Sequence, residues 1–214
     1  MDLGLTGRRA LVLASTRGLG RAIATALAAE GAAVSICGRS DAERAAAEMA
    51  RETGATVRGF TLDLHERSQI DTLLDAATKA MGGIDILVLN GGGPPPAPAL
   101  DVTSEAWSIW FERMVANLIY AAARAVPPMR ERRWGRLLTV ASSAAVQPIG
   151  GMALSNSLRA SLLAWNKTLA AEVAGDGITC NVILPGRIDT ERVAALDAAK
   201  AEREARTPDA VRRE

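Results

Sequence analysis

Three short stretches of this 214-residue chain combine residue types that can do chemistry. The first is "ASTRGLGRAIA", where Ser15, Thr16, Arg17, Gly18, Leu19 and Gly20 lead from an apolar run into a helical pattern. Small residues there let backbone N–H groups approach a diphosphate at the positively polarised start of a helix, where larger side chains would obstruct. The second is Gly38, Arg39 and Ser40, which close the next apolar run. Arg39, with Arg17 in the loop opposite, offers charge-assisted forked contacts to a phosphate. A carboxylate in that place would repel one. The third is "ALSNSLRASLLAW", in which Ser155 and Arg159 lie one helical turn apart on the same side.

Other chemistries lack their residues. His65 is the single histidine, with no cysteine nearby, so no zinc site is expected. Cys37 and Cys180 both sit in apolar runs, where a thiol behaves as a small buried hydrophobe rather than half of a disulfide. The formal net charge of +1 argues against nucleic-acid binding by bulk electrostatics, and the arginines within 130–133 and 203–206 read as solvated helix ends. The N-terminal apolar run is too short for a signal sequence or a membrane span. A cytoplasmic protein with no membrane partner is the expectation.

These stretches need a scaffold, and the chain supplies one with a regular rhythm. Six apolar, β-branched runs, "RALVLAS", "AAVSICGR", "TVRGFTLD", "IDILVLN", "GRLLTVAS" and "ITCNVILP", alternate with helical stretches at 18–30, 41–52, 68–81, 104–126 and 152–174. Strands that are apolar throughout predict a parallel sheet covered on both faces: an α/β, doubly wound Rossmann-type sandwich in three layers. With 49% apolar residues, one domain and one continuous core suffice. Ser40 and Glu43 have the spacing of a capping box. Leu154, Leu158, Leu162, Trp165, Leu169 and Val173 form the stripe that packs the helix of Ser155 and Arg159 on the sheet. Ligands of such sheets bind at the carboxyl ends of the strands, so the informative residues follow each strand. Thr207, Pro208 and Asp209 look like the start of one more helix, too short to be stable alone.

The spacing of the first loop resembles the T-G-x-x-x-G-x-G loop of short-chain dehydrogenases/reductases, with Leu13 and Ala14 in the Thr and first Gly places. "LVLNGGG" is similar to the family's N-N-A-G, with Asn90, Gly91 and Gly92 beside a cofactor ribose. "NVILPGRIDT" matches N-x-x-x-P-G-x-x-x-T, with Pro185, Gly186, Ile188 and Thr190 near a nicotinamide carboxamide. The resemblance spans residues 5 to about 195. It implies that residues 1–190 bind a nicotinamide dinucleotide, with Asp63 and Leu64 at the adenine. Residues 191–214 are expected to be a substrate lid cut short of the family's final edge strand, leaving the sheet edge open. Arg39 and Arg17, with no acid at the end of the second strand, favour NADP(H) over NAD(H). Family members form dimers or tetramers, an expectation here that depends on a complete C-terminus.

The family also places Ser, Tyr and Lys at spacings of thirteen and four, with a supporting Asn upstream. Here those places hold Asn117, Ser142, Ser155 and Arg159, and the twenty-two residues from Arg159 to Asn181 fix the register. A phenol with a pKa near ~10 can act as a general acid, whereas an aliphatic hydroxyl is far less acidic and a ring shorter. Arg159, in the family's lysine place, would hold the nicotinamide ribose hydroxyls as a cofactor-binding residue and supply positive charge, but arginine relays no proton. Two outcomes stay open. One is an atypical 3-oxoacyl-reductase-like oxidoreductase acting on a small carbonyl or thioester substrate, with Ser142 polarising the carbonyl and water giving the proton. The other is a nucleotide-binding sensor or assembly protein without turnover. Tyr120, the only tyrosine, is expected to pack on the sheet rather than replace the acid.

Overall fold

A computed structural model describes residues 2–212. Six parallel strands, β1 (Arg9–Val12), β2 (Ala33–Gly38), β3 (Val57–Thr61), β4 (Ile86–Leu89), β5 (Gly135–Val140) and β6 (Ile178–Ile183), form one sheet in the order β3-β2-β1-β4-β5-β6. All six expected strands are present. Successive residues of each strand point to opposite faces, so one strand feeds two cores. Leu11, Leu13, Leu87, Leu89 and Leu137 pack with α3 (Arg67–Met81), α5 (Asn117–Glu131) and α6 (Ala153–Val173). Ala10, Val12, Val34, Ile36, Ile86 and Val88 pack on the other face with α1 (Gly18–Ala29) and α2 (Ala42–Thr53). The buried residues that α1 and α2 present are mostly alanines, which let these helices lie close to the sheet. Among the described residues no helix is long and apolar enough to cross a membrane.

Two local expectations are corrected. Ser40 and Glu43 do not form a capping box: Asp41 precedes α2 in the left-handed region at φ 56°, and the Glu43 carboxylate accepts instead from Thr61 Oγ1 at 2.8 Å. The helix expected over 104–126 is α4 (Ser104–Phe111), a wide π turn over Glu112–Ala116, and α5, which runs on through Pro127 and Pro128. Burial of Val126 and Met129 outweighs the hydrogen bonds that the prolines remove. The short helix after Thr207 does form, as α8 (Pro208–Arg212). Thr207 Oγ1 caps it, and Val211 is fully buried where α8 packs on α7 (Glu191–Arg203).

The strand order places the site. The chain steps outward from β1 to β3, then returns to lay β4 on the other side of β1, so the connections after β1 and β4 diverge and open a crevice at their carboxyl ends. At the far edge β6 is outermost, with Thr179, Asn181 and Ile183 exposed.

Candidate functional site

The crevice is built around the loop after β1. Gly18 sits at φ 56°, and α1 begins there without a side-chain cap, so the first-turn N–H groups of Gly18, Leu19 and Gly20 face out of the helix end without helical partners. Gly20 is required by space: a Cβ there would stand 2.4 Å from the Ala14 carbonyl oxygen and 2.7 Å from Asn90 Nδ2. Asn90 braces this loop, its amide donating to Ala14 O at 2.9 Å and Leu13 O at 3.2 Å. Ser15 also serves the scaffold. Its N–H donates to Cys37 O, and its hydroxyl donates to Val12 O while accepting from Cys37 N. Ala14, in the family's first glycine place, takes the left-handed φ of 47° that favours glycine. Burial pushes the Cys37 thiol beside it up to about 12, so it stays an unreactive thiol.

At the end of β2, Gly38 has no room for a side chain because Thr16 lies against it. Arg39 and Ser40 are exposed, and Arg39 has no ion pair among the described residues. Arg17 differs from expectation: it reaches the start of α7 and pairs with Glu191 at 2.8 Å, so the loop after β6 lies over the glycine loop. Asp63 accepts from the His65 backbone N–H at 3.0 Å, while its own N–H donates to Gln69 Oε1. Burial holds His65 below the usual imidazole range. The Asp63 and Glu66 carboxylates oppose this effect, and the positive charges of Arg113 and Arg39 add to it. Leu64 presents its carbonyl to Asn117, whose Nδ2 donates to Leu64 O at 3.0 Å and His65 O at 3.1 Å. Asn117 therefore ties α5 to the loop after β3 and makes no hydrogen bond to Arg159. Its Oδ1 is buried without a hydrogen-bond partner among the described residues.

The reacting end lies past β5. Ser142 is half-buried, and its Oγ accepts from Ala144 N at 3.1 Å, which leaves the hydroxyl proton free to donate elsewhere. Pro185 O accepts from Ser143 N at 3.0 Å and pins this turn to the end of β6. Arg159 Nη1 donates to Val140 O and Ala141 O at 3.1 and 3.0 Å, which fixes its guanidinium on the two carbonyls that precede Ser142. Ser155 is buried on the same helix face, with no hydrogen bond from its hydroxyl among the described residues. Tyr120 is elsewhere, its hydroxyl donating to the Asp71 carboxylate at 2.7 Å on the α3–α5 contact. No phenol or imidazole thus stands in the acid's place.

The remaining residues form the rim. Thr190 caps α7 by accepting from Val193 N, and Ile188 is 43% exposed at the mouth. The loop "GGGPPPAPA" (91–99) is tied by a bridge from Ala97 to Met152, the residue that follows the loop "VQPIGG" (146–151), so the two line one side of the crevice together. Sequence reasoning missed Arg192, whose Nη2 donates to Pro94 O at 2.7 Å and so reaches across to that side. Nothing in its local pattern signals this, because Arg192 and Pro94 are 98 residues apart. A dinucleotide fits what is present: outward N–H groups at α1, the exposed Arg39 at the end of β2, and Gly91, Gly92 and Gly186, where an added Cβ would meet no described protein atom within 4 Å.

Comparison with known proteins agrees with this geometry. The profile of the short chain dehydrogenase family matches residues 8–201. The chain is 33% identical over 194 residues to the 3-oxoacyl-[acyl-carrier-protein] reductase FabG of Escherichia coli K12, covering 91% of this chain and 79% of that protein. Among solved structures it resembles L-sorbose reductase from Gluconobacter frateurii complexed with NADPH and L-sorbose, with a TM-score of 0.89 and 31% identity over 94% of this chain and 78% of that one. It also resembles an NAD+-bound xylitol dehydrogenase, with a TM-score of 0.85 and 25% identity over 92% of this chain and 77% of that one.

Proposed function

The chain belongs to the short-chain dehydrogenase family, and from that premise we propose that it is a cytoplasmic, NADP(H)-preferring reductase of a ketone or 3-oxoacyl-type carbonyl. The observation that carries the reading is that the Arg159 guanidinium is held by the carbonyls of Val140 and Ala141, which lead directly into Ser142, whose Oγ accepts from Ala144 N at the carboxyl end of β5. NADPH, when bound, supplies the hydride. Ser142 donates a hydrogen bond to the carbonyl oxygen as negative charge develops there, and Arg159 adds a fixed positive charge in a partly desolvated place. Ser155 is too short and too weakly acidic to protonate the alkoxide, so the proton comes from water. The absent acid lowers the rate by about 10²–10⁴ relative to a site that holds a positioned one. Support for NADP(H) comes from the exposed Arg39 at the end of β2, which has no ion pair among the described residues and stands where a carboxylate would favour the unphosphorylated ribose. Assembly into dimers or tetramers, usual for the family, is part of the same reading.

A second reading, a dinucleotide sensor or assembly protein without turnover, is favoured by Ser155 itself. Among the described residues its hydroxyl has no hydrogen-bond partner, and it lies in a helix whose arginine is engaged with backbone carbonyls. Titration with NADPH and NADH, followed by nicotinamide fluorescence, tests the part common to both. Tighter NADPH binding that Arg39→Ala weakens supports the nucleotide site, and no binding of either nucleotide overturns both readings. Turnover of small carbonyl compounds that Ser142→Ala abolishes then separates the enzyme from the sensor.

A further inference from the structure

Arg192 is in an electrostatically poor place. It lies in the first turn of α7, where the helix dipole already presents positive charge and a cation is disfavoured. Glu191, the acidic residue of that turn, is paired with Arg17 rather than with Arg192. The Arg192 side chain reaches across the crevice to Pro94 O and meets Arg159 there. A Cβ on Gly93 would stand 3.3 Å from Arg192 Nη2 and 3.7 Å from Arg159 Nη2, so the two guanidinium groups flank one glycine. Neither has a carboxylate partner among the described residues. Burial holds both below the ordinary arginine range, and the charge of Arg192 lowers Arg159 further. Two like charges brought together in a partly desolvated cleft, with N–H groups to spare, are half of an interaction whose other half is an anion.

We propose that Arg159 and Arg192 together form a carboxylate-binding subsite, so that the carbonyl compounds taken by this site are oxo acids. This rests on the reductase reading, because it assigns the substrate's second functional group. The competing anion is the dinucleotide's own diphosphate, because the start of α7 also stands on the glycine loop, where Glu191 pairs with Arg17. Arg159 favours a substrate anion, since it is bonded to the two carbonyls just before Ser142 rather than to the glycine loop. A planar carboxylate held by the pair would present its oxo group toward the Ser142 hydroxyl.

The test is calorimetric titration of the protein, with and without NADPH, using acetoacetate and its uncharged methyl ester, on wild type and Arg192→Gln. The acid should bind at least about ten-fold more tightly than the ester, the scale of one charge-assisted hydrogen bond, and Arg192→Gln should erase that preference while NADPH affinity holds. Equal binding of acid and ester, or a preference that survives Arg192→Gln, overturns the subsite. Loss of NADPH affinity in Arg192→Gln with the acid preference intact also overturns it and assigns Arg192 to the diphosphate. An acid preference that Arg192→Gln erases in protein that binds no NADPH supports the subsite while the nucleotide reading fails.

Discussion

Replacing Gly20 by alanine adds one methyl group at the point where α1, the glycine loop and β4 converge. That carbon would lie 2.4 Å from the Ala14 carbonyl oxygen, 2.7 Å from Asn90 Nδ2 and 2.8 Å from Ser15 Cα. Two of these three neighbours are backbone, so no side-chain rotation relieves the clash, and α1 must move out by several tenths of an ångström. Overpacking of this kind costs about 1–3 kcal/mol, and displacing the Asn90 amide from the carbonyls of Leu13 and Ala14 adds roughly 1 kcal/mol per weakened bond. A loss of about 3 kcal/mol corresponds to a fall in Tm of roughly 6–12 °C for a domain of this size. Gly91→Ala is the matched control, because its methyl meets no protein atom within 4 Å. Thermal unfolding with and without NADPH reads both effects. Gly20→Ala should lower the baseline Tm, while Gly91→Ala should keep it and lose the shift that NADPH induces. A Gly20→Ala protein as stable as wild type would refute the account of the loop as a packed assembly braced by Asn90.

Four further outcomes follow from the same geometry. Ser155→Tyr, which returns a phenol to the helix face beside Arg159, should raise carbonyl turnover by about 10²-fold or more, measured as NADPH oxidation; no gain in a variant that still binds NADPH would show the site is not limited by its acid. At Asp85, burial pushes the carboxyl up, but the Arg9 guanidinium at 2.7 and 2.6 Å and the charge of Arg132 outweigh it and hold the group below its ordinary 3.8. A depressed folded value means this stabilisation is complete above the unfolded value and is lost as pH falls through the folded one. Asp85→Asn should therefore cost about 1–3 kcal/mol near neutrality by removing the charge opposite a partly exposed Arg9, which keeps its bond to Gly82 O, with the gap to wild type narrowing in acid below about pH 4 in urea unfolding. Ala14→Gly removes a left-handed alanine and should stabilise the fold by about 0.5–1 kcal/mol, read as a rise in the urea midpoint at constant slope. Arg39→Ala should weaken NADPH several-fold more than NADH in fluorescence titration, and equal weakening of both would remove Arg39 from the 2′-phosphate.

Much of the fold was legible because its signals are local. Each inner strand is a run of apolar residues buried on both faces, and the helices that cover the sheet carry apolar stripes at three- and four-residue spacing; neither signal depends on what comes later in the chain. The glycine loop was legible for the same reason, since Gly18 and Gly20 answer to backbone geometry within a few residues. Places where local rules gave the wrong detail are those where packing overrode them. Buried Val126 and Met129 carry α5 through two prolines, Val211 holds a helix too short to persist alone, and Thr61, a neighbour only through the sheet, takes Glu43 from its capping box.

Side-chain partners across the crevice were not legible at all. Arg17 and Arg39 look equivalent as phosphate ligands in the sequence, yet Arg17 is paired with Glu191, 174 residues away, while Arg39 has no ion pair among the described residues. Asn90 and Asn117 stand in motif places that imply contact with cofactor or catalytic cation, and both donate to backbone carbonyls of other loops. The sequence by itself determined the six-strand alternation, the glycine turn, and the replacement of tyrosine and lysine by Ser155 and Arg159, because residue identity and spacing are local facts. Only the tertiary structure decided that Tyr120 bonds Asp71 far from the site and that Arg192 meets Arg159 beside Gly93. Such pairings depend on which strand ends the sheet order brings together, and no short-range periodicity encodes that order.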